Sequence, residues 1–235
     1  MAAAEFEDTW VVMPVYNEAP VLEATLEELT GTFGHVCVVD DASTDASSAI
    51  AQAFTPKGVR LLNHPFNLGQ GAALQTGIAY VLQDPLMQRL VTFDADGQHR
   101  VADAAAMARR VTPDRATEPP SLDVALASRF LDKGTQMGGL KRLVLRLAVA
   151  YTNLSVGTKL TDTHNGLRAM NRWVAAGLRI NQNGMAHATE ILEQIVAMKA
   201  IYAEHPAVIT YSPYAKAKGQ SLLNSVNILV DLLLR

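Results

Sequence analysis

The sequence predicts an α/β protein built on a Rossmann-like, mostly parallel central sheet flanked by helices. Three observations carry that expectation. Short apolar runs rich in β-branched residues alternate with stretches of helical period, as strands and their covering helices do. The alternation repeats several times through the first half of the 235 residues. Two of the apolar runs end in closely spaced acids, at the sheet edge where open α/β folds place their ligands.

Taken in order, residues 10–15 read as the first strand. Residues 20–33 read as an amphipathic helix, with Val21, Leu22, Leu26, Leu29 and Phe33 at helical spacing and Glu23, Glu27 and Glu28 elsewhere on the turn. A second strand over 35–39 ends at Asp40-Asp41. Ser43 and Asp45 offer capping groups for an alanine-rich helix over 43–53, and residues 59–62 make a third strand. A helix over 68–82 tolerates Gly69, Gly71 and Gly77, and a strand over 90–93 runs into Asp94-Ala95-Asp96-Gly97. The stretch 112–121, TPDRATEPPS, reads as a surface loop. A strand follows at 124–127, then a helix over 140–156 with Leu140, Leu143, Val144, Leu147 and Tyr151 on one side and basic residues on the other. A helix over 186–199, a strand near 207–211 and a leucine-rich helix over 221–235 complete the chain. The expectation is one domain over 1–235, with 219–235 a C-terminal, membrane-proximal helix.

Composition narrows the function. At 49% hydrophobic and 18% charged the chain is an ordinary globular protein, and its net charge of −3 gives no basic footprint for nucleic acid. The single Cys37, inside an apolar run, rules out a disulfide framework and favours a reducing compartment. The acidic start lacks the cationic and apolar regions of a signal peptide, and no window holds 18 uninterrupted apolar residues, so the expected location is cytoplasmic.

Asp94 and Asp96 carry the most informative chemistry. Two like charges at ~4 Å and an effective dielectric of ~20 repel by about 4 kcal/mol, which a neighbouring diphosphate worsens and a divalent cation reverses. Carboxylate and phosphate oxygens are the hard ligands that Mg²⁺ or Mn²⁺ takes, with Gln98 or His99 completing or orienting the shell. A solvated Asp-Gly turn is the structural alternative. Asp41 can accept hydrogen bonds from a ribose or base, leaving Asp45 to cap the next helix. Gly69-Gln70-Gly71 lacks the third glycine of a dinucleotide motif, and no phosphate-binding GxxxxGK[ST] loop occurs. Between Leu140 and Leu160 stand Lys141, Arg142, Arg146 and Lys159 with no acid, a stretch suited to an anionic acceptor or to solvation.

Four motifs occur in order: Val12-Met13-Pro14-Val15-Tyr16-Asn17-Glu18, Val39-Asp40-Asp41-Ala42-Ser43-Thr44-Asp45, Asn67-Leu68-Gly69-Gln70-Gly71-Ala72-Ala73-Leu74 and Phe93-Asp94-Ala95-Asp96-Gly97-Gln98-His99. With them the sequence resembles family 2 glycosyltransferases of the GT-A fold. Ala127-Ser128-Arg129 and the segment 160–168, LTDTHNGLR, look most like the polyprenyl (dolichol) phosphate mannose synthase type. The resemblance covers roughly residues 10–221 and implies acceptor-side helices in the C-terminal part.

It further implies that Pro14, Val15, Tyr16 and Glu18 line the nucleotide, that Val39 and Asp41 hold base and ribose, and that Gly71 belongs to the donor loop. Asp94, Ala95, Asp96 and Gln98 then bind metal and diphosphate, and Arg129 meets phosphate. Three positions depart from the pattern: Leu145 replaces a serine, Lys216 an arginine, and Leu222 a lysine. Lysine at 216 loses the planar two-bond geometry of arginine. The implied reaction is inverting transfer of a sugar from a nucleotide-sugar donor to a polyprenyl phosphate, dependent on Mg²⁺ or Mn²⁺. A small membrane protein partner, a homodimer and a peripheral position on the cytoplasmic face of the membrane accompany it. A phosphate acceptor needs no general base, because its second pKa of about 6 leaves it mostly dianionic at neutral pH. Transfer to a glycan hydroxyl needs one; Asp162 and Glu190 are the candidates, with His164 and His187 behind them. A non-catalytic nucleotide-sugar-binding scaffold is the remaining alternative.

Overall fold

A computed structural model of the chain describes residues 5–115, 121–132 and 139–210. Strands β1 (Thr9–Val15), β2 (His35–Asp40), β3 (Val59–Asn63), β4 (Arg89–Thr92), β5 (Val124–Ser128), β6 (Arg168–Asn171) and β7 (Tyr202–Pro206) form one sheet in the order β3-β2-β1-β4-β6-β5-β7. Strand β6 runs antiparallel to both neighbours, and every other pairing is parallel. The helices are α1 (Ala19–Thr32), α2 (Ser47–Ala53), α3 (Gln70–Val81), α4 (Val101–Arg110), α5 (Gly139–Val156), α6 (Arg172–Gly177) and α7 (His187–Ala197).

Strand β1 is buried at all seven positions, as a parallel strand covered on both faces must be. Its side chains alternate between two cores. Val11, Met13 and Val15 join Val36 and Val38 under Leu22, Leu26 and Leu29 of α1. Trp10 and Val12 join Cys37 and Val39 under Leu74, Ile78 and Val81 of α3. That period of two fixes the register, because a one-residue slip would exchange the two faces. Helix α3 approaches so closely that a Cβ at Gly77 would stand 2.5 Å from Val12 Cγ1. Burial also pushes the Cys37 thiol up to about 12, so this cysteine acts as a core filler.

Strand order reverses between β1 and β4, the switch point at which open α/β sheets form their crevice. The acidic motifs leave β2 and β4 at this end of the sheet. Several sequence expectations move. The last described strand is Tyr202–Pro206, upstream of 207–211. Helix α2 starts at Ser47, four residues later than expected, because Ser43 and Asp45 are engaged with the end of β1. Helices α4 and α6 and strand β6 were not expected at all. The helix at 221–235, the segment 219–235 and Lys216 lie outside the described residues.

Helix α5 is where the sequence pattern misleads most. It buries Leu145, Ala148, Val149 and Thr152. The residues read as its apolar side, Leu140, Leu143, Leu147 and Tyr151, are exposed instead, with Leu154.

Candidate active site

At the switch point a cleft of about 570 Å³ opens between the ends of β1 and β4 and the start of α3. Pro14, Val15, Tyr16, Glu18, Asp41, Gln70, Asp94, Ala95 and Asp96 are among its walls, closed on one side by Met185. Most of the residues expected to meet the donor therefore share one cavity.

The walls are held by the motifs gripping one another. Asn17, at a left-handed φ of 55°, donates its backbone N–H to Ser43 Oγ (2.9 Å), and its side-chain oxygen accepts from Thr44 N (2.8 Å). Glu18 N donates to Ser47 Oγ at 2.8 Å, and Asp45 accepts from Ala19 N and Ser47 N. Asp45 thus bridges the starts of α1 and α2, although the residue at the α2 N-cap is Ala46.

Asp41 is buried and heavily used. Its oxygens accept from Leu68 N (2.9 Å) and Gly69 N (2.7 Å) and pair with His64 Nδ1 (2.7 Å), while His64 Nε2 meets Thr76 Oγ1 at 3.0 Å. Asp41 therefore fixes the loop before α3 as well as facing the cleft. Val39 lies in the core beneath, and Gly71 is packed under the 181–185 segment: its N–H donates to Asn183 O, and a Cβ there would sit 1.9 Å from Gln182 O. Neither is among the cleft's walls.

Asp94 Oδ1 accepts from Gln70 Nε2 at 2.8 Å, and Oδ2 lies 3.1 Å from His99 Nε2. Burial works to raise its pKa, but the His99 contact and the positive field of His99, Arg168 and His187 outweigh burial and hold it below the usual carboxylate value. Asp96 goes the other way. Burial first, then the Asp94 charge, push it up to about 6. Gln98 is buried against Asp96, whose Oδ1 accepts from Gln98 N (3.0 Å) and whose Oδ2 accepts from the Gln98 side-chain amide. Gln98 therefore orients Asp96 and is not among the cleft walls.

Among the described residues no three His, Cys, Asp or Glu side chains converge as a ready metal cage. Two carboxylates fit a hard cation that keeps waters and takes its remaining oxygens from substrate phosphate.

The acids expected to serve a hydroxyl acceptor are placed differently. Asp162 is buried and pairs with Arg129 Nε at 2.6 Å, accepts from Arg129 N (3.1 Å), and is reached by His164 N (3.3 Å). Burial opposes its charge, and Arg129 more than compensates, holding its carboxyl below the ordinary range. Arg129 also donates to His164 O at 3.1 Å and points at this loop, outside the cleft wall. Glu190 clamps the 181–182 backbone, accepting from Asn181 N (3.0 Å) and Gln182 N (2.9 Å). His187 is buried behind Asp94, with Nδ1 2.8 Å from Gly184 O.

Sequence reasoning missed four supports. Gln70 holds Asp94 from within the glycine motif. Gly166 lets the 164–167 segment close over Asp94, since a Cβ there would stand 2.0 Å from Asp94 Oδ2. Glu204 Oε1 accepts from Thr161 N (2.8 Å) and Asp162 N (3.1 Å), fixing that loop from the edge strand. Arg168, fully buried on β6, lends positive charge to both Asp94 and Asp162. The LTDTHNGLR motif pointed to Gly166 and Arg168, whereas nothing local pointed to Glu204.

A mostly parallel sheet with an acid pair at its switch-point cleft defines the class, a GT-A glycosyltransferase. The chain belongs to glycosyl transferase family 2, whose family model matches residues 10–174. It is 30% identical to an uncharacterised protein of Methanocaldococcus jannaschii, over 97% of this chain and 92% of that one. It is 26% identical to a UDP-N-acetylglucosamine–dolichyl-phosphate N-acetylglucosaminyltransferase of Methanococcus voltae, over 96% and 94%. To the polyprenol monophosphomannose synthase of Mycolicibacterium smegmatis the identity is 30%, over 71% of this chain and 62% of that protein. In fold it is similar to glucosyl-3-phosphoglycerate synthase from Mycobacterium tuberculosis in complex with UDP, at a TM-score of 0.69 and 18% identity over 99% and 80% of the two chains. The same synthase with Mn²⁺, UDP and glucosyl-3-phosphoglycerate gives 0.66 at 17% identity, over 98% and 81%.

Proposed function

We propose that the enzyme transfers a sugar from a nucleoside-diphosphate donor to a polyprenyl phosphate, with inversion. The observation that carries the acceptor choice is the commitment of Asp162 and Glu190 to structural partners. A glycan hydroxyl needs a base with a free lone pair and a pKa near working pH. Asp162 is held anionic by its pairing with Arg129, and Glu190 is engaged by backbone amides. A phosphomonoester, already dianionic, attacks without either. The activities named for the Methanococcus and Mycolicibacterium relatives agree with this reading.

Pro14, Val15, Tyr16, Glu18 and Asp41 seat the nucleoside, and Asp94 and Asp96 hold a divalent cation, Mg²⁺ or Mn²⁺, against the diphosphate. When bound, that ion neutralises the departing nucleoside diphosphate. Gln70 and His99 keep Asp94 aimed at the cleft, and Gln98 does the same for Asp96. Lys141 and Arg142, in the first turn of α5, receive the acceptor phosphate. Arg129 joins them by exchanging part of its Asp162 contact for phosphate, a bidentate partner suited to its fork.

No described helix is long and apolar enough to cross a membrane, so contact with a lipid acceptor is peripheral in this reading. The test is a pair of assays on each variant: donor hydrolysis, and transfer to a short-chain polyprenyl phosphate. Asp96→Asn lowers both by about 10²–10³-fold, whereas Lys141→Ala lowers transfer by about tenfold and leaves hydrolysis within about twofold. Equal loss in both assays for Lys141→Ala removes the acceptor assignment. Donor binding with neither hydrolysis nor transfer in the native protein favours a scaffold.

A further inference from the structure

Asp41 faces the cleft with most of its hydrogen-bonding capacity already taken. A carboxylate accepts at about four lone-pair positions, two on each oxygen. Oδ1 accepts from Leu68 N at 2.9 Å and lies 2.7 Å from His64 Nδ1, while Oδ2 accepts from Gly69 N at 2.7 Å. Both positions on Oδ1 are therefore filled, and Oδ2 keeps one for a ligand.

The sheet itself brings His64 to this place. Asp40 at the end of β2 pairs in register with Asn63 at the end of β3, so the next residues, Asp41 and His64, leave the sheet side by side. His64 N donates to Asp40 O at 2.9 Å, and its Nε2 meets Thr76 Oγ1 of α3 at 3.0 Å. Its side chain is only 8% exposed, so the ring is fixed from three directions. Because Oδ1 is an acceptor, Nδ1 carries the hydrogen. The other two donors to Asp41 are backbone amides, which almost any residue supplies. Among the described residues His64 is the side chain that donates to Asp41, and it makes the number of remaining acceptor positions depend on residue identity.

We infer that His64 sets the nucleobase preference of the donor, acting through Asp41: it leaves the carboxylate one acceptor position, which suits uracil and disfavours guanine. Uracil presents a single ring N–H between two carbonyls. Guanine presents a ring N–H beside an exocyclic amino group, an edge that a carboxylate receives through both oxygens at once. With Oδ1 filled, the second guanine donor meets an occupied acceptor and stays unpaired, a loss of about tenfold or more in affinity. The inference rests on the reading that Asp41 seats the nucleoside and extends it to the identity of the base. His64 is a positioning residue in this scheme, since it touches Asp41 and not the ligand.

The test titrates UDP and GDP, each with Mn²⁺, into native protein and three His64 variants, with melting temperatures recorded alongside. The native chain is expected to bind UDP at least about tenfold more tightly than GDP. Removing the imidazole frees a position on Oδ1, so His64→Ala is expected to shrink that preference by about fivefold or more. His64→Leu, which fills the space without a donor, does the same and carries the test if the alanine variant unfolds. His64→Asn places an amide nitrogen where Nδ1 stands and keeps the native preference. A native chain that binds GDP as tightly as UDP overturns the inference. So do folded alanine and leucine variants that weaken both nucleotides by one factor, the mark of a structural role or of Asp41 serving the ribose. In those cases nucleotide binding survives and the donor reading stands. Native protein that binds neither nucleotide sinks the donor reading, and this inference with it.

Discussion

Two pairs of acids stand near the cleft, and the protein treats them in opposite ways. Asp94 and Asp96, at the end of β4, line the cleft, and Asp96 is pushed up to about 6 by burial and by its neighbour's charge. Asp162, in the loop before β6, and Glu190, in α7, are engaged by Arg129 and by backbone amides. All four are carboxylates that a linear reading marks as candidates for chemistry. The donors around each one, and not the residue type, decide whether it faces a ligand or holds a loop. The contrast teaches that burial and the Asp94 charge leave Asp96 raised, whereas the Arg129 counter-charge holds Asp162 below the ordinary carboxylate range.

The sharpest way to break the contrast is to remove charge from the first pair. Asp96→Asn is expected to lower transfer and donor hydrolysis by about 10²–10³-fold with little change in melting temperature, on the scale of losing one electrostatic stabiliser of the leaving group. Activity within about fivefold of native would place the acid pair outside the chemistry. Gly166→Ala probes the same pair indirectly. Its methyl would stand 2.0 Å from Asp94 Oδ2. Displacing Asp94 is expected to cost about 1–3 kcal/mol of stability and roughly tenfold or more in transfer. Denaturant midpoints and turnover that both stay native would contradict the close packing over Asp94.

For the second pair the prediction reverses, with stability moving more than chemistry. Asp162→Asn strands the Arg129 charge and is expected to cost about 2–4 kcal/mol in urea unfolding. Donor binding should survive, because Asp162 is not in the cleft wall. Loss of donor binding at unchanged stability would assign it to the donor site.

His164 sharpens the contrast by pH. Burial pushes its pKa from 6.5 down to about 4. Between those values the unfolded chain takes up a proton that the folded chain refuses, so this group's contribution falls as pH drops through that window, by on the order of 3 kcal/mol. His164→Gln should flatten the slope of melting temperature between pH 6.5 and 4, and an unchanged slope would show that His164 protonates freely in the native state. Glu190→Gln carries the smallest effect. Roughly 1 kcal/mol of stability and no more than about threefold in transfer are expected, because an amide oxygen still accepts from the 181–182 backbone. A larger fall in turnover would restore Glu190 as a candidate base.

Much of the donor side was legible because β1 and β2 are covered on both faces and so read as continuous apolar runs, with their acids at the ends. Strand β6 was illegible for the converse reason. Its residues, Arg-Ala-Met-Asn, lack β-branched side chains, and it is a strand through its ladder with β4 and β5 and the burial of Arg168. The acid pair could be located from sequence, but not what supports each acid: Glu204 reaches Asp162 from 42 residues away, and the motif that contains Gly166 does not show that it meets Asp94. Helix α5 shows the limit of periodicity. Its pattern marked an apolar face correctly but could not say whether protein covers that face, since Leu145, Ala148 and Val149 form a second apolar arc that competes for the core.

The most direct measurement is calorimetric titration of UDP and of GDP into native protein and Asp96→Asn, each with Mn²⁺ and with chelator. The account predicts that at least one nucleotide binds the native chain at least about tenfold more tightly with Mn²⁺, and that Asp96→Asn erases the difference. Equal affinity with metal and with chelator, or a metal effect that survives in Asp96→Asn, would contradict it.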